Sequence, residues 1–348
     1  MPTFHKVTIQ EIKQETANAV SVVFNIPENL KEDFKFTAGQ YITLEQEING
    51  EKVRRAYSIC STPQSGALRV AIKAVENGVF SGYATSALKE GDAIEIAAPE
   101  GRFLLEPKAN KNYLGFAAGS GITPILSMLK TVLETAPTAT FTLVYGNKSI
   151  ADTIFFEELN QLKETFGDRF NLHYIYSRED VKNGLRGRID ANVTNYFVKN
   201  MYKETSFDEA FLCGPEEMIK EVSAKLKDNN IAEENIHFEL FTVTTDEDAL
   251  EDVKEGTTTI TVVLDDEETT FAMQQTDNIL SASLRNDLDP PYSCQGGVCS
   301  SCLGKVTEGK AVMVKNSILT DSEIEEGLVL TCQAHPTTPK VTIDFDDV

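Results

Sequence analysis

Tryptophan is absent from this sequence, histidine occurs only four times, and no apolar run approaches membrane-spanning length. A helix that crosses a bilayer needs about 20 consecutive apolar residues, so a helical membrane protein is excluded and no membrane partner is expected. His5, His173, His237 and His335 are scattered along the chain and suggest no triad for nucleophilic catalysis. Basic residues are in deficit, with 32 Lys and Arg against 54 Asp and Glu and a formal charge of −22. Such a chain repels a phosphate backbone, and nucleic acid is not an expected partner. The opening residues Met1-Pro2-Thr3-Phe4-His5-Lys6 lack a basic start followed by an apolar run, so no signal peptide is expected. Nothing else marks an oxidising compartment, which argues against a disulfide framework for the six cysteines. The expectation is a soluble, cytoplasmic protein without internal repeats.

Four of the cysteines carry the strongest signal. Cys294, Cys299 and Cys302 follow a C-x4-C-x2-C spacing, and Cys332 stands farther on in Leu330-Thr331-Cys332-Gln333. That is the plant-type [2Fe–2S] pattern. Gly296 and Gly297 allow close backbone approach to sulfur, and Ser300 and Ser301 are small enough not to block it. The alternative is a structural zinc site, but such sites usually pair two short C-x2-C knuckles, and here there is one.

At 348 residues the chain is long for one core, so two or three domains are expected. Residues 6–106 read as all-β: short alternating runs such as Val20-Ser21-Val22-Val23-Phe24 and Tyr41-Ile42-Thr43-Leu44 are separated by turn signals including Asn49-Gly50 and Glu90-Gly91-Asp92. Many short strands with regular turns favour a closed barrel. From Tyr113 strand-like runs alternate with helical ones, including a helical pattern after Pro124 through Leu133 and expected helices over 153–164 and 216–227, as in a parallel α/β sheet whose ligands bind at the carboxyl ends of its strands. Residues 242–257 are acidic and Thr-rich, with little to bury, and read as a linker. A final module opens with a strand at 259–264 and contains a helix near 279–286. The expected domains are thus 1–108, 109–241 and 258–348, with the linker at 242–257.

Acid is concentrated late in the chain: residues 258–348 carry 15 acidic and 5 basic side chains, and residues 242–257 carry 6 and 1. A basic docking patch on a partner protein would suit that surface through electrostatic steering; solubility or a salty habitat explains it equally well.

A one-electron cluster cannot by itself take a hydride from a nicotinamide, so a two-electron/one-electron converter is needed, and a flavin is the common one. In Arg55-Ala56-Tyr57-Ser58 the Arg can hold phosphate, the Tyr can lie on an isoalloxazine face and the Ser can hydrogen-bond the ring near N5. Gly78, Val79, Phe80 and Ser81 could offer backbone N–H groups and a hydroxyl to a pyrophosphate; the plainer reading is a turn entering a helix. Gly119-Ser120-Gly121 follows a strand and opens a helix, a context that suits phosphate. Pro124 stands where the third glycine of G-x-G-x-x-G would be. Ser177 and Arg178 lie just past another strand, with Arg186 and Arg188 behind them, and suit the 2′-phosphate of NADPH in preference to NADH; a solvated loop is the alternative. Cys213, before Gly214-Pro215, either faces a nicotinamide or is a buried inert thiol, as Cys60 is expected to be.

Together these residues resemble the ferredoxin–NADP reductase superfamily with a C-terminal plant-type ferredoxin domain. Within it the chain is most similar to the reductase subunits of phenylacetyl-CoA epoxidases, on Arg55-Ala56-Tyr57-Ser58, Tyr145-Gly146-Asn147-Lys148, Gly187-Arg188-Ile189-Asp190 and Val312-Met313, among other stretches. The resemblance implies a multidomain fold: a flavin-binding antiparallel β-barrel, an NAD(P)-binding α/β domain with a parallel sheet, and a β-grasp α+β ferredoxin domain. It implies that Arg55, Tyr57 and Ser58 hold the flavin, with Val70, Ala71, Ile72, Lys73 and Gly78, Val79, Phe80, Ser81 along its tail. Gly121, Ile122 and Thr123 would line the dinucleotide, Cys213 and Glu239 would flank the nicotinamide, and Phe241 would lie against the flavin ring. FAD is expected in preference to FMN, and an oxygenase as electron acceptor. Another oxygenase, a desaturase or a free carrier would leave the chemistry unchanged, whereas a zinc-stapled binding module would have none of it.

Overall fold

Alternation of apolar and polar residues builds six antiparallel strands in the computed structural model: β1 (Phe4–Thr16), β2 (Ala19–Asn25), β3 (Tyr41–Ile48), β4 (Glu51–Ser58), β5 (Leu68–Lys73) and β6 (Ala93–Ala97). Their order is β4-β3-β6-β1-β2-β5. The two outer strands meet, because Ile59 bridges Val70 and the Cys60 N–H donates to the Arg69 carbonyl at 2.8 Å. The sheet is thereby closed into a barrel, filled by Val22, Ile42, Leu44, Val70, Ile72 and Ile96. Asn49 and Gly50 both take positive φ, 56° and 82°, as the two-residue β3–β4 hairpin requires. Helix α1 (Val79–Ser86) follows β5. The structure describes residues 3–181, 185–242 and 244–348; Met1 and Pro2 of the leader expectation, and Val243 of the expected linker, lie outside the described residues.

A six-stranded parallel sheet follows: β7 (Asn112–Ala118), β8 (Thr140–Asn147), β9 (Phe170–Tyr176), β10 (Leu185–Arg186), β11 (Glu209–Cys213) and β12 (Ile236–Glu239), in the order β10-β9-β8-β7-β11-β12. Helices α2 (Ile122–Thr135), α3 (Phe156–Phe166), α4 (Ala191–Asn195) and α5 (Glu216–Asp228) lie between the strands in sequence. From β7 the chain builds outward to β10, then returns to lay β11 on the other side of β7. The strand order therefore reverses between β7 and β11, the place where open α/β sheets bind ligands. Helix α3 begins later than the expected 153–164, because a tight turn at Ile150–Asp152 and a left-handed Phe155 (φ 61°) interrupt its first turn.

The barrel and parallel sheet form one compact unit, residues 4–239, and residues 240–348 form another. The second unit contains α6 (Glu247–Asp252), β13 (Thr257–Leu264), β14 (Glu267–Gln274), α7 (Ile279–Arg285), β15 (Leu303–Glu308), β16 (Ala311–Met313), α8 (Asp321–Glu325), β17 (Leu328–Leu330), β18 (Ala334–Pro336) and β19 (Lys340–Asp344). Its five-stranded sheet has the order β14-β13-β19-β15-β17, with β13 and β19 parallel. Ile279 and Ala282 of α7 pack on Ile260, Val341 and Ile343 of that sheet, the α+β arrangement expected. The acidic stretch read as a linker is not featureless: Asp246 accepts from the Ala249 N–H and starts α6, and its own N–H donates to the Val314 carbonyl at 2.8 Å. No helix among the described residues is long and apolar enough to cross a membrane.

Candidate functional site

At the strand-order reversal, two turns come into direct backbone contact. Gly119–Gly121 forms a tight helical turn after β7, with Gly119 at φ 56°, and α2 starts at Ile122 without a side-chain cap. Its first N–H groups are thus not engaged by a capping side chain. Gly121 is required for a different reason: a Cβ there would lie 2.1 Å from the Cys213 carbonyl oxygen. Ile122 and Thr123 are buried, and Thr123 Oγ1 donates to the Ser120 carbonyl at 3.0 Å. Cys213 ends β11, opposite Ala117 on one side and Glu239 on the other. Its side chain is fully buried; burial, reinforced by the Glu239 carboxylate, pushes the thiol well above its ordinary pKa. Cys213 is therefore a neutral thiol.

The barrel contributes directly to this crevice. Ser58, the last residue of β4, donates through Oγ to Glu239 Oε2 at 3.2 Å. Ser58, Glu239, Cys213 and Gly121 thus form one continuous set. Tyr57 lies beside Phe80 of α1, ring centroids 5.6 Å apart, so two separately expected flavin segments touch. Burial raises the Tyr57 phenol, against the opposing charge of Arg55. Arg55 itself donates from Nη1 to the Arg54 carbonyl at 2.6 Å. Gly78 precedes α1 without a side-chain cap, Ser81 Oγ accepts from the Val75 N–H at 3.2 Å, and Val79 is exposed. Val70, Ala71 and Ile72 are buried in core clusters, so any contact of theirs with a ligand is through backbone. Past the Val70 bridge, β5 pairs only with β2 among the described residues, and that open edge fits the tail of a flavin nucleotide. The Lys73 side chain reaches toward the Gly119–Gly121 turn, its Nζ 3.6 Å from the Cβ position of Gly119. Burial, then Lys148, lowers its amine.

Ser177 and Arg178 sit just past β9, their N–H groups tied to the Asn147 and Lys148 carbonyls at 3.0 and 2.9 Å. Arg178 and Arg188 are exposed, whereas Arg186 is paired with Asp180 at 2.9 Å. Phe241 belongs to the second unit and is 39% exposed.

In that second unit the four cysteines converge. Cys299, Cys302 and Cys332 are buried, and Cys294 is partly so. Cys299 Sγ and Cys294 Sγ are 3.1 Å apart, and Cys332 interacts with both Cys294 and Cys302. The Gly296 N–H points at Cys294 Sγ at 3.3 Å and Gln333 Nε2 at Cys332 Sγ at 3.8 Å. Gln295 and Gly297 both take positive φ, 55° and 73°, which folds the loop around the sulfurs. Contact with Cys294, then burial, pushes the Cys299 thiol well above its ordinary pKa. Ionised together, four thiolates so close would need positive metal among them. A [2Fe–2S] cluster divides its four thiolates between two irons.

Three known domain families match the chain in succession. Residues 6–104 match the oxidoreductase FAD-binding domain, residues 116–224 the oxidoreductase NAD-binding domain and residues 262–337 the 2Fe-2S iron-sulfur cluster binding domain. The chain is 38% identical to one subunit of the 1,2-phenylacetyl-CoA epoxidase of Escherichia coli (strain K12), covering 99% of both chains. It is 31% identical to the ferredoxin reductase component of the 3-ketosteroid-9-alpha-monooxygenase of Rhodococcus rhodochrous, covering 97% of this chain and 96% of that one. Phthalate dioxygenase reductase shares the fold, with a TM-score of 0.66 at 23% identity over 98% of each chain. The chain belongs to the ferredoxin–NADP reductase superfamily with a C-terminal [2Fe–2S] domain, among the reductase components of oxygenase systems.

Proposed function

We propose that the chain oxidises NADPH in preference to NADH and, through FAD and a [2Fe–2S] centre, supplies single electrons to the oxygenase of a phenylacetyl-CoA epoxidase in the cytoplasm. The observation that carries this reading is the contact between Ser58 and Glu239, which unites the barrel's R-x-Y-S segment with the crevice beside Cys213 and Gly121. A bound flavin supplies the conversion from two-electron to one-electron chemistry. Around it, Arg55 offers charge to phosphate, Tyr57 an aromatic face and Ser58 a hydroxyl, while Val70 with the open edge of β5 beyond it at Ala71, Ile72 and Lys73, and the uncapped start of α1 at Gly78, Val79, Phe80 and Ser81, receive the tail. Gly121, Ile122 and Thr123 line the dinucleotide, and neutral Cys213 with Glu239 flanks the nicotinamide; Phe241 is assigned to the flavin by resemblance. Cys294, Cys299, Cys302 and Cys332 ligate the cluster. The acceptor assignment is tested by combining the purified protein with NADPH and the epoxidase oxygenase. Reduction of a small-molecule acceptor without turnover of the oxygenase would refute it.

The NADPH preference rests on Ser177 and Arg178 at the end of β9. A charge-assisted pair with the 2′-phosphate contributes about 1.5–3 kcal/mol. Arg178→Ala is therefore expected to raise KM for NADPH roughly ten- to a hundredfold and to leave NADH nearly unaffected, where chemistry is slow relative to release. Equal losses for both cofactors would contradict the assignment.

The acidity of residues 242–348 suggests docking to a basic partner. Electron delivery to the oxygenase is then expected to weaken steeply with salt, as the screening length shrinks from about 10 Å at 0.1 M to about 3 Å at 1 M. Paired salt titrations with the oxygenase and with an uncharged small-molecule acceptor check this. Parallel curves would assign the acidic surface to solubility alone.

A further inference from the structure

The Glu158 side chain, 19% exposed, accepts from Arg69 Nη2 at 2.7 Å and from Lys130 Nζ at 2.8 Å. Arg69 is on β5 of the barrel, Lys130 on α2 and Glu158 on α3. The Arg69 guanidinium also lies 4.7 Å over the Phe155 ring, and its Nε meets Cys60 Sγ at 3.3 Å. The left-handed Phe155 just before α3 thus accompanies a ring and a carboxylate that converge on one guanidinium. Burial alone would raise the Glu158 carboxyl, but Arg69 and Lys130 overcome it and hold the group below its ordinary pKa. Each of the three side chains is only 19% exposed, so removing one member leaves the others with little water to replace it.

The same face of α2 makes two more connections. Ser127 Oγ donates to the Ser61 carbonyl at 2.6 Å, and Glu134 Oε2 accepts from Thr62 Oγ1 at 3.0 Å. Ser127, Lys130 and Glu134 recur at helical spacing. The segment they hold begins three residues after Ser58, and α2 begins at the Gly119–Gly121 turn. One helix face therefore ties the end of the R-x-Y-S segment to the element carrying the dinucleotide turn.

We propose that Arg69, Glu158 and Lys130 are positioning residues for hydride transfer, setting the separation of flavin and nicotinamide by locking α2 and α3 onto the barrel. This rests on the reading of the two sites given above. In that step the nicotinamide C–H bond breaks, its hydrogen leaves with the bonding electron pair for the flavin ring, and the dinucleotide is oxidised as the flavin is reduced. The reacting atoms must lie about 3–3.5 Å apart, and a misplacement of about 1 Å costs on the order of a hundredfold in rate.

Glu158→Gln keeps the shape and removes the charge. Rapid mixing of the holoprotein with NADPH is expected to show flavin reduction slowed about tenfold, with KM and flavin content within about twofold of the parent. The long-wavelength charge-transfer absorbance of the mixed complex weakens, and Glu158→Asp, which retains the charge, recovers most of the rate. Should Glu158→Gln not fold, Lys130→Met, which leaves the Arg69–Glu158 pair in place, is read the same way. An unchanged reduction rate, or an effect confined to the melting temperature, overturns the proposal. Ser58→Ala separates the two readings: if it slows flavin reduction and Glu158→Gln does not, only the positioning role fails. If the protein carries no flavin, or Ser58→Ala is silent, the site reading fails and the positioning role with it.

Discussion

Cys332→Ser is expected to abolish electron delivery to the oxygenase while leaving NADPH-driven flavin reduction intact. Cys332 follows β17, is 4% exposed, and its sulfur interacts with Cys294 and Cys302. Serine has nearly the same size, but its hydroxyl does not ionise near neutral pH, so the fourth thiolate is lost without a cavity. Substitutions outside the ligand shell already cost metal sites about 10–100-fold, so loss of a ligand should lower oxygenase turnover by more than about a hundredfold. Reduction of a small-molecule acceptor should stay within about twofold, because Tyr57, Ser58 and Cys213 belong to a different compact unit. Iron content, visible absorbance and turnover with both acceptors check the result. Unchanged iron together with unchanged delivery would remove Cys332 from the cluster.

The parts legible in the sequence are those written in local order. Alternation with Asn49-Gly50 marks a barrel, strands alternating with helices mark a parallel sheet, and the spacing of Cys294, Cys299 and Cys302 marks a cluster. Contacts between distant residues are not legible. Ser58 and Glu239 are 181 positions apart, and only family resemblance assigns Glu239 a role. Arg69, Lys130 and Glu158 look individually like solvated surface charges; only the meeting of their side chains from β5, α2 and α3 makes them a network. Phe155 carries no mark of a left-handed backbone, since non-glycine residues adopt that region only when their surroundings compel it. The short helix Glu247–Asp252 is hidden by the acidity of its stretch, because Leu250 stays exposed and so contributes no burial signal.

Gly121→Ala is expected to disable dinucleotide oxidation through backbone displacement, without touching any charged or polar ligand group. Gly121 has φ −60°, so its backbone conformation suits alanine. The obstacle is space: the new Cβ would meet the Cys213 oxygen at 2.1 Å, the Cys213 carbonyl carbon at 2.5 Å and the Gly214 nitrogen at 3.0 Å. All three are backbone atoms at the end of β11, so no rotamer change relieves the clash. The two turns must separate, and overpacking of this kind costs about 1–3 kcal/mol of stability. The larger consequence is geometric. A shift of about 1 Å between the Gly119–Gly121 turn and the Cys213 turn should slow flavin reduction on the order of a hundredfold, and it should do so equally for NADPH and NADH, unlike Arg178→Ala. Flavin content should hold, because the Tyr57–Phe80 contact and the open edge of β5 lie on the barrel. Thermal melting, flavin content and reduction rates with both dinucleotides measure these effects together; a variant with parental melting and parental rates would show that the two turns need not touch.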